Sequence, residues 1–292
     1  MKIAILTITA MLAFAANSVL ARLALLHGDI DPLAYTGVRL VSGALVLVAL
    51  ITIRTRRRTT EPMGSWRAAL ALLFYAGTFS VAYVQIGAGA GALILFASVQ
   101  IGMLAWAIFK GDRPSTLEWL GLALAFFSLV YLVFPSLVAP PLTGALLMIV
   151  AGFSWAAYSI LGRGSRSPLT DTAGNFVRCL PIGALLIVVG ASLVRPTTAG
   201  LVYAVASGAI ASGLGYTIWY SVLPTLSRTR AAFVQLSVPC IAAIGGVLFI
   251  AEAPTARLVI ATVGIVGGIA LALLASQRQQ TASVSAQDDK AV

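Results

Sequence analysis

Residues 68–109 read AALALLFYAGTFSVAYVQIGAGAGALILFASVQIGMLAWAIF, without one charged side chain. A hydrocarbon core ~30 Å thick is crossed by about 20 apolar residues in a helix, so this run is about two crossings long. The cluster Gly87-Ala88-Gly89-Ala90-Gly91 near its middle permits a tight reversal. Outward from this run the pattern repeats in both directions, with long apolar stretches separated by short turns. Ten spans are predicted, at roughly 3–26, 33–53, 66–86, 90–109, 116–134, 142–162, 172–194, 200–222, 227–250 and 255–275. The fold class is therefore an all-α polytopic membrane protein.

Composition agrees. Of 292 residues 60% are hydrophobic and 10% charged, with mean hydropathy +0.99; soluble domains carry roughly 25% charged residues. A β-barrel would alternate polar and apolar residues in short strands instead. The net charge of +10 could suggest nucleic acid, but the charges sit on one side of the predicted spans. Fourteen of the 19 basic residues fall there: Lys2, Arg54, Arg56, Arg57, Arg58, Arg67, Lys110, Arg113, Arg163, Arg166, Arg228, Arg230, Arg278 and Lys290. Three, Arg22, Arg195 and Arg257, fall on the other side. The positive-inside rule then puts both termini in the cytoplasm and gives no role to nucleic acid. Trp66 and Trp119 open cytoplasmic helix starts as interfacial anchors. Lys2 and Val19-Leu20-Ala21 imitate a signal peptide, but the first span is long for one and is expected to be retained. The polar tail 277–292 reads as disordered.

The chain repeats itself. Asn17-Ser18-Val19-Leu20-Ala21-Arg22 matches Tyr158-Ser159-Ile160-Leu161-Gly162-Arg163. Pro32-Leu33, Arg39 and Gly43-Ala44-Leu45 match Pro168-Leu169, Arg178 and Gly183-Ala184-Leu185. Ser98-Val99 matches Ser237-Val238, and Asp112-Arg113-Pro114 matches Glu252-Ala253-Pro254. The offsets run from 136 to 141 residues, which divides the chain into 1–136 and 137–276 followed by the tail. Each half holds five predicted spans, an odd number, so the second half enters the membrane from the opposite side. Ten transmembrane helices as two inverted five-helix repeats suit alternating access, because the halves can exchange conformations. A duplication that kept only a scaffold is the plainer alternative.

With these motifs the chain resembles the drug/metabolite transporter superfamily, in its ten-helix branch with two EamA-type repeats. Within that branch it is similar to the YddG-type aromatic amino acid exporters. The resemblance covers residues 1 to about 276. It implies a central cavity formed by spans 1–4 and 6–9, with spans 5 and 10 peripheral, and a bacterial inner-membrane exporter of aromatic and other neutral amino acids and related metabolites. One departure is visible. The four-helix multidrug members carry a glutamate in their first helix, whereas this chain reads Phe14-Ala15-Ala16-Asn17-Ser18 there.

The acidic residues Asp29, Asp31, Glu61, Asp112, Glu118, Asp171, Glu252, Asp288 and Asp289 all fall in loops, in the tail or at span ends, and the one histidine, His27, at a helix end. Proton relays use buried carboxylates or histidines, so facilitated transport without an obligate proton is expected. One histidine with the separate Cys179 and Cys240 builds neither a metal site nor a Ser-His-Asp centre, and no cofactor is expected. Since one chain holds both halves, a monomer is sufficient, with the bilayer and a small-molecule substrate as its partners.

Candidate substrate-binding residues follow from helical faces at i, i+3 and i+4. They are Phe14, Asn17 and Ser18 in span one, Trp155, Tyr158 and Ser159 in span six, Tyr216, Trp219 and Tyr220 in span eight, Tyr75, Phe79 and Tyr83 in span three, and Phe96, Gln100 and Gln235 in spans four and nine. Amides and hydroxyls can bind a zwitterion without a buried counter-charge, and aromatic faces attract an ammonium. The same residues could simply pack helix on helix. Arg39 and Arg178 are the charges inside spans. They either snorkel or bond carbonyls, or serve as gates or substrate contacts. Pro224, Pro239, Gly208, Gly213 and Gly215 are expected to interrupt spans eight and nine as hinges or close-packing points. The same fold exporting drugs or other metabolites, and a membrane-embedded enzyme or sensor, are the alternatives.

Overall fold

A computed structural model describes residues 2–54, 64–85, 88–111, 114–133 and 141–250, with residues 256, 259–260, 262–264, 266–268, 270–272 and 274–275 beyond them. All regular structure among the described residues is helical. The helices are α1 (Lys2–Leu26), α2 (Pro32–Arg54), α3 (Trp66–Gln85), α4 (Ala88–Phe109), α5 (Thr116–Val133), α6 (Leu142–Gly162), α7 (Pro168–Arg178), α8 (Leu180–Leu193) and α9 (Thr198–Ala206). A π-helical segment, Ser207–Leu214, leads into α10 (Gly215–Val222), followed by α11 (Arg228–Gln235) and α12 (Ser237–Ile250). Several start signals are readable. Asp31 caps α2 at the Leu33 amide (2.8 Å), and Ser115 and Glu118 form a reciprocal capping box on α5.

Among the described residues five helices are long and apolar enough to cross a membrane, or six if the bent pair α7 and α8 is one span. The outward face is apolar, with Leu45, Ile53, Phe74, Val188, Leu248 and Phe249 exposed. Asn17, Arg39, Gln100, Ser159, Ser207, Ser212 and Gln235 are buried inside. That inversion of the soluble pattern is what a lipid solvent selects.

Three expected spans are not simple rods. The seventh bends by 49° between α7 and α8. Pro181 has no N–H for the Val177 carbonyl, and the Cys179 amide bonds the Phe176 carbonyl instead (3.0 Å). The ninth breaks at Leu236, where Pro239 cannot donate to the Gln235 carbonyl. The eighth runs unbroken as helix across Gly208, Gly213 and Gly215, but widens into the π-helical segment. Pro224 does not interrupt it; it is exposed in the 3-10 turn Leu223–Thr225 that ends it. Of the stretch 87–91 expected to reverse the chain, Ala88–Gly91 are already helical in α4. Residues 86–87, Glu61, the Asp112-Arg113 pair, Glu252-Ala253-Pro254 and the tail lie outside the described residues.

Packing runs through small residues. A Cβ on Gly37 would strike the Gly183 carbonyl, so α2 and α8 touch backbone to backbone. The α4 helix meets α6 in the same way, at Gly102 against Ala156 and at Gly152 against Ser98; α3 also packs on α6, and α1 on α9, the π-helical segment, α10 and α12. The α5 helix meets the last helical stretch at Gly121 and Gly268.

Candidate functional site

Where α1, α2, α3, α6 and α10 converge, the structure gathers a continuous aromatic cluster. Trp155 is its hub, with ring centroids 5.0 Å from Phe14, 5.0 Å from Tyr75, 4.7 Å from Tyr216 and 5.7 Å from Tyr158. Phe79 extends it from Tyr75 at 5.5 Å and reaches Tyr83 at 4.5 Å. Trp219 closes on Phe14 at 5.8 Å and Tyr220 on Tyr158 at 5.0 Å. Edge-to-face and tilted rings at these spacings attract one another beyond the area they bury.

Several of the polar tips are tied to neighbouring helices. Trp155 Nε1 donates to Gln235 Oε1 (2.6 Å), whose Nε2 reaches Met103 Sδ (2.8 Å), so one amide joins α6, α11 and α4. Phe96 and Gln100 are buried on the α4 face that carries Met103. Trp219 Nε1 donates to Ser159 Oγ (3.3 Å) and Tyr220 Oη to the Tyr158 carbonyl (2.8 Å). Ser18 is half-buried on the flank of the Phe14–Asn17 face.

The polar side of the cluster is built on Arg39. It is 1% exposed. Nε donates to Ser212 Oγ (2.8 Å) and Nη2 to Tyr216 Oη (2.5 Å). The guanidinium lies 5.3 Å from the Tyr75 ring centroid and 5.7 Å from that of Phe79. Asn17 Nδ2 donates to the same two oxygens at 3.2 Å, and Ser207 donates to Asn17 Oδ1. The π-helical segment makes this possible. In an α-helix, residues five apart point to different faces; i→i+5 bonding stacks them, so Ser207 and Ser212 face α1 and α2 together. The approach is close, since a Cβ on Gly208 would strike the Arg39 carbonyl.

Arg178 is not the structural counterpart of Arg39. It sits half-buried at the α7 end, bonds the Gly174 carbonyl (2.9 Å) and lies 5.6 Å from the Trp66 ring centroid. Pro239 lies buried near the start of α12 and Pro224 exposed beyond α10. Sequence reasoning missed Ser207 and Ser212, which share no face at α-helical spacing, and Phe176, whose ring lies 6.1 Å from Tyr216.

Two polar ties close opposite ends of this core. At one, Asp171 accepts from the Gly64 amide (3.0 Å) and Ser165 Oγ (2.6 Å), while Asn175 Oδ1 accepts from the Ser65 amide (2.9 Å). Gly64 has φ +65°, and a Cβ there would strike Asn175 Oδ1. A cavity of about 230 Å³ lies against this tie, bordered by Asp171, Asn175 and Tyr220. At the other end Thr197 donates its amide to the Asp29 carbonyl (2.8 Å) and its hydroxyl to Asp29 Oδ1 (2.9 Å). The α2 helix of 23 residues, ~34 Å at 1.5 Å per residue, runs between the two ends.

The model of the EamA-like transporter family matches residues 1–134 and again 142–274. The chain belongs to the EamA-like transporter family. The uncharacterized protein PA1977 of Pseudomonas aeruginosa is 49% identical over 269 residues, covering 92% of this chain and 93% of that one. The threonine/homoserine exporter RhtA of Salmonella typhimurium is 27% identical over 241 residues, covering 79% of this chain and 78% of that one. A crystal structure at 22% identity superposes with TM-score 0.76 over 94% of this chain and 98% of the other, a likeness of fold. This EamA-family chain is thus a multi-pass membrane protein of a transporter family, and the aromatic and polar cluster lies at its centre.

Proposed function

We propose that this EamA-family protein exports amino acids, aromatic and other neutral ones, across the bacterial inner membrane by alternating access. The observation that carries the reading is the buried meeting of aromatic faces with amide, hydroxyl and guanidinium groups at one central point. It matches the two halves of a zwitterion with a variable side chain. The amino acid export named for RhtA supports the cargo class, and the aromatic faces favour the YddG-type branch for this chain.

The mechanism is an exchange between two inverted five-helix repeats in ten spans. Helix pairing supports it. The third and sixth spans pack together, as do the eighth and first; the fourth packs on the sixth, as the ninth does on the first. Each pairing becomes its counterpart when the halves are interchanged. The Asp171 tie then belongs to the cytoplasmic gate and the Asp29 tie to the external one, with both termini in the cytoplasm. The four described acidic residues, Asp29, Asp31, Glu118 and Asp171, sit at helix starts or in loops, which supports facilitated transport without an obligate proton.

Proteoliposomes loaded with threonine, homoserine, phenylalanine or tryptophan test the reading. Saturable efflux of at least one, unchanged in form and merely slower or faster when a pH gradient is imposed, is the expected result. No saturable flux of any of the four, or flux only with a pH gradient, would overturn it.

A further inference from the structure

Donors crowd the polar side of the cluster. Arg39 Nε and Nη2 and Asn17 Nδ2 all converge on two oxygens, Ser212 Oγ and Tyr216 Oη. Arg39 Nη1, buried like the rest of the side chain, has no hydrogen-bond partner among the described residues. The described carboxylates are engaged elsewhere: Asp31 caps α2, Glu118 caps α5, Asp29 holds Thr197 and Asp171 holds Gly64 and Ser165. A cation in the membrane core held only by neutral oxygens and ring faces is costly, and intramembrane charges mark ligand pathways. The missing element is an anion with two oxygens side by side, the shape that a guanidinium grips with two parallel bonds.

We propose that Arg39 anchors the carboxylate of the substrate, with Asn17 sharing the load. Ser212 Oγ and Tyr216 Oη stand, in the conformation described, where the carboxylate oxygens will bind. The proposal rests on the transport reading above and deepens it at the same site. Entry of the carboxylate takes Arg39 away from the eighth span, and it brings the rest of the substrate against Tyr75, Phe79 and Trp155, the rings nearest the guanidinium and the cluster hub. The cargo class therefore requires a free carboxylate.

The test compares each acid with its uncharged or decarboxylated relative on the full-length protein. Phenylalanine, phenylalaninamide and phenethylamine compete for phenylalanine counterflow, and each is also added to the detergent-purified protein in thermal unfolding. Wild type should prefer the acid over the amide and the amine by on the order of 10- to 100-fold, the worth of one charged hydrogen-bonded contact. Arg39→Gln should bring acid and amide to equal affinity, and Arg39→Lys should keep the order with weaker binding. Equal competition by acid and amide in wild type, or a surviving acid preference in Arg39→Gln, overturns the anchor. The wild-type comparison needs no variant to fold. Thermal stabilisation by the acid and not by the amide supports the anchor even where flux is absent, while equal or no stabilisation overturns it, so failure of the anchor and failure of transport read differently.

Discussion

At the scale of single residues the hub is Trp155, and its worth is measurable. Its indole N–H is buried with Gln235 as acceptor. Gln235→Leu removes the acceptor and leaves that donor unsatisfied, costing about 1–3 kcal/mol. Trp155→Phe removes the donor and vacates part of the ring's space, also destabilising. The double variant should lose less than the sum of the two, because neither orphan then remains. Thermal unfolding of the four proteins in detergent measures the coupling, and simple additivity would show that the indole–amide bond contributes nothing. The candidate residues that the sequence exposes are those whose partners stand three or four positions away on one helix: Phe14 with Asn17, Trp155 with Tyr158 and Ser159, Tyr216 with Trp219 and Tyr220. What it hides is partnership across helices. Nothing in the spacing of Arg39 and Arg178 separates one in the core from the other beside Trp66.

Among the helices, the π-helical segment sets the site. Inserting one alanine after Ile210, whose side chain is exposed, sets Ser207 and Ser212 six residues apart and turns Ser207 by about 100° relative to Ser212. The Asn17–Ser207 bond is then lost. Flux should fall on the order of tenfold or more while helix content by circular dichroism is kept; Ile210→Ala should leave both unchanged. Undiminished flux in the insertion variant would remove the segment from the mechanism. The five long apolar helices among the described residues were legible because an uncharged run of about 20 residues has one physical meaning in lipid. The wide turn was not. Ser207-Gly208-Ala209-Ile210-Ala211-Ser212 reads as ordinary small-residue helix, and what the wider winding brings together, Ser207 and Ser212 on Asn17, shows only in contacts across helices. The bend at Cys179 and the break at Leu236 were readable in principle from Pro181 and Pro239, each of which withholds its N–H from the carbonyl four residues before it.

For the molecule as a whole, the two ties hold opposite ends, so at least one must open for each passage. Asp171→Ala removes the acceptor for Gly64 and Ser165 and should shift the population toward a form open at that end. Cys179, buried between α7 and α3 with its thiol on the Ala69 carbonyl (3.4 Å), reports it. In a Cys240→Ser background, maleimide labelling of Cys179 should speed up several-fold in Asp171→Ala, since every 1.4 kcal/mol of shift is about tenfold in population. An unchanged labelling rate would detach the tie from gating. The position of Arg39 has an electrical consequence too. A fixed positive charge deep in the bilayer feels the voltage across it, about 2.3 kcal/mol per 100 mV for a full crossing. If the helices carry that charge through even a tenth of the field as they rock, the balance between the two states shifts by about 0.2 kcal/mol per 100 mV. The turnover of a cargo with no net charge would then follow the membrane potential.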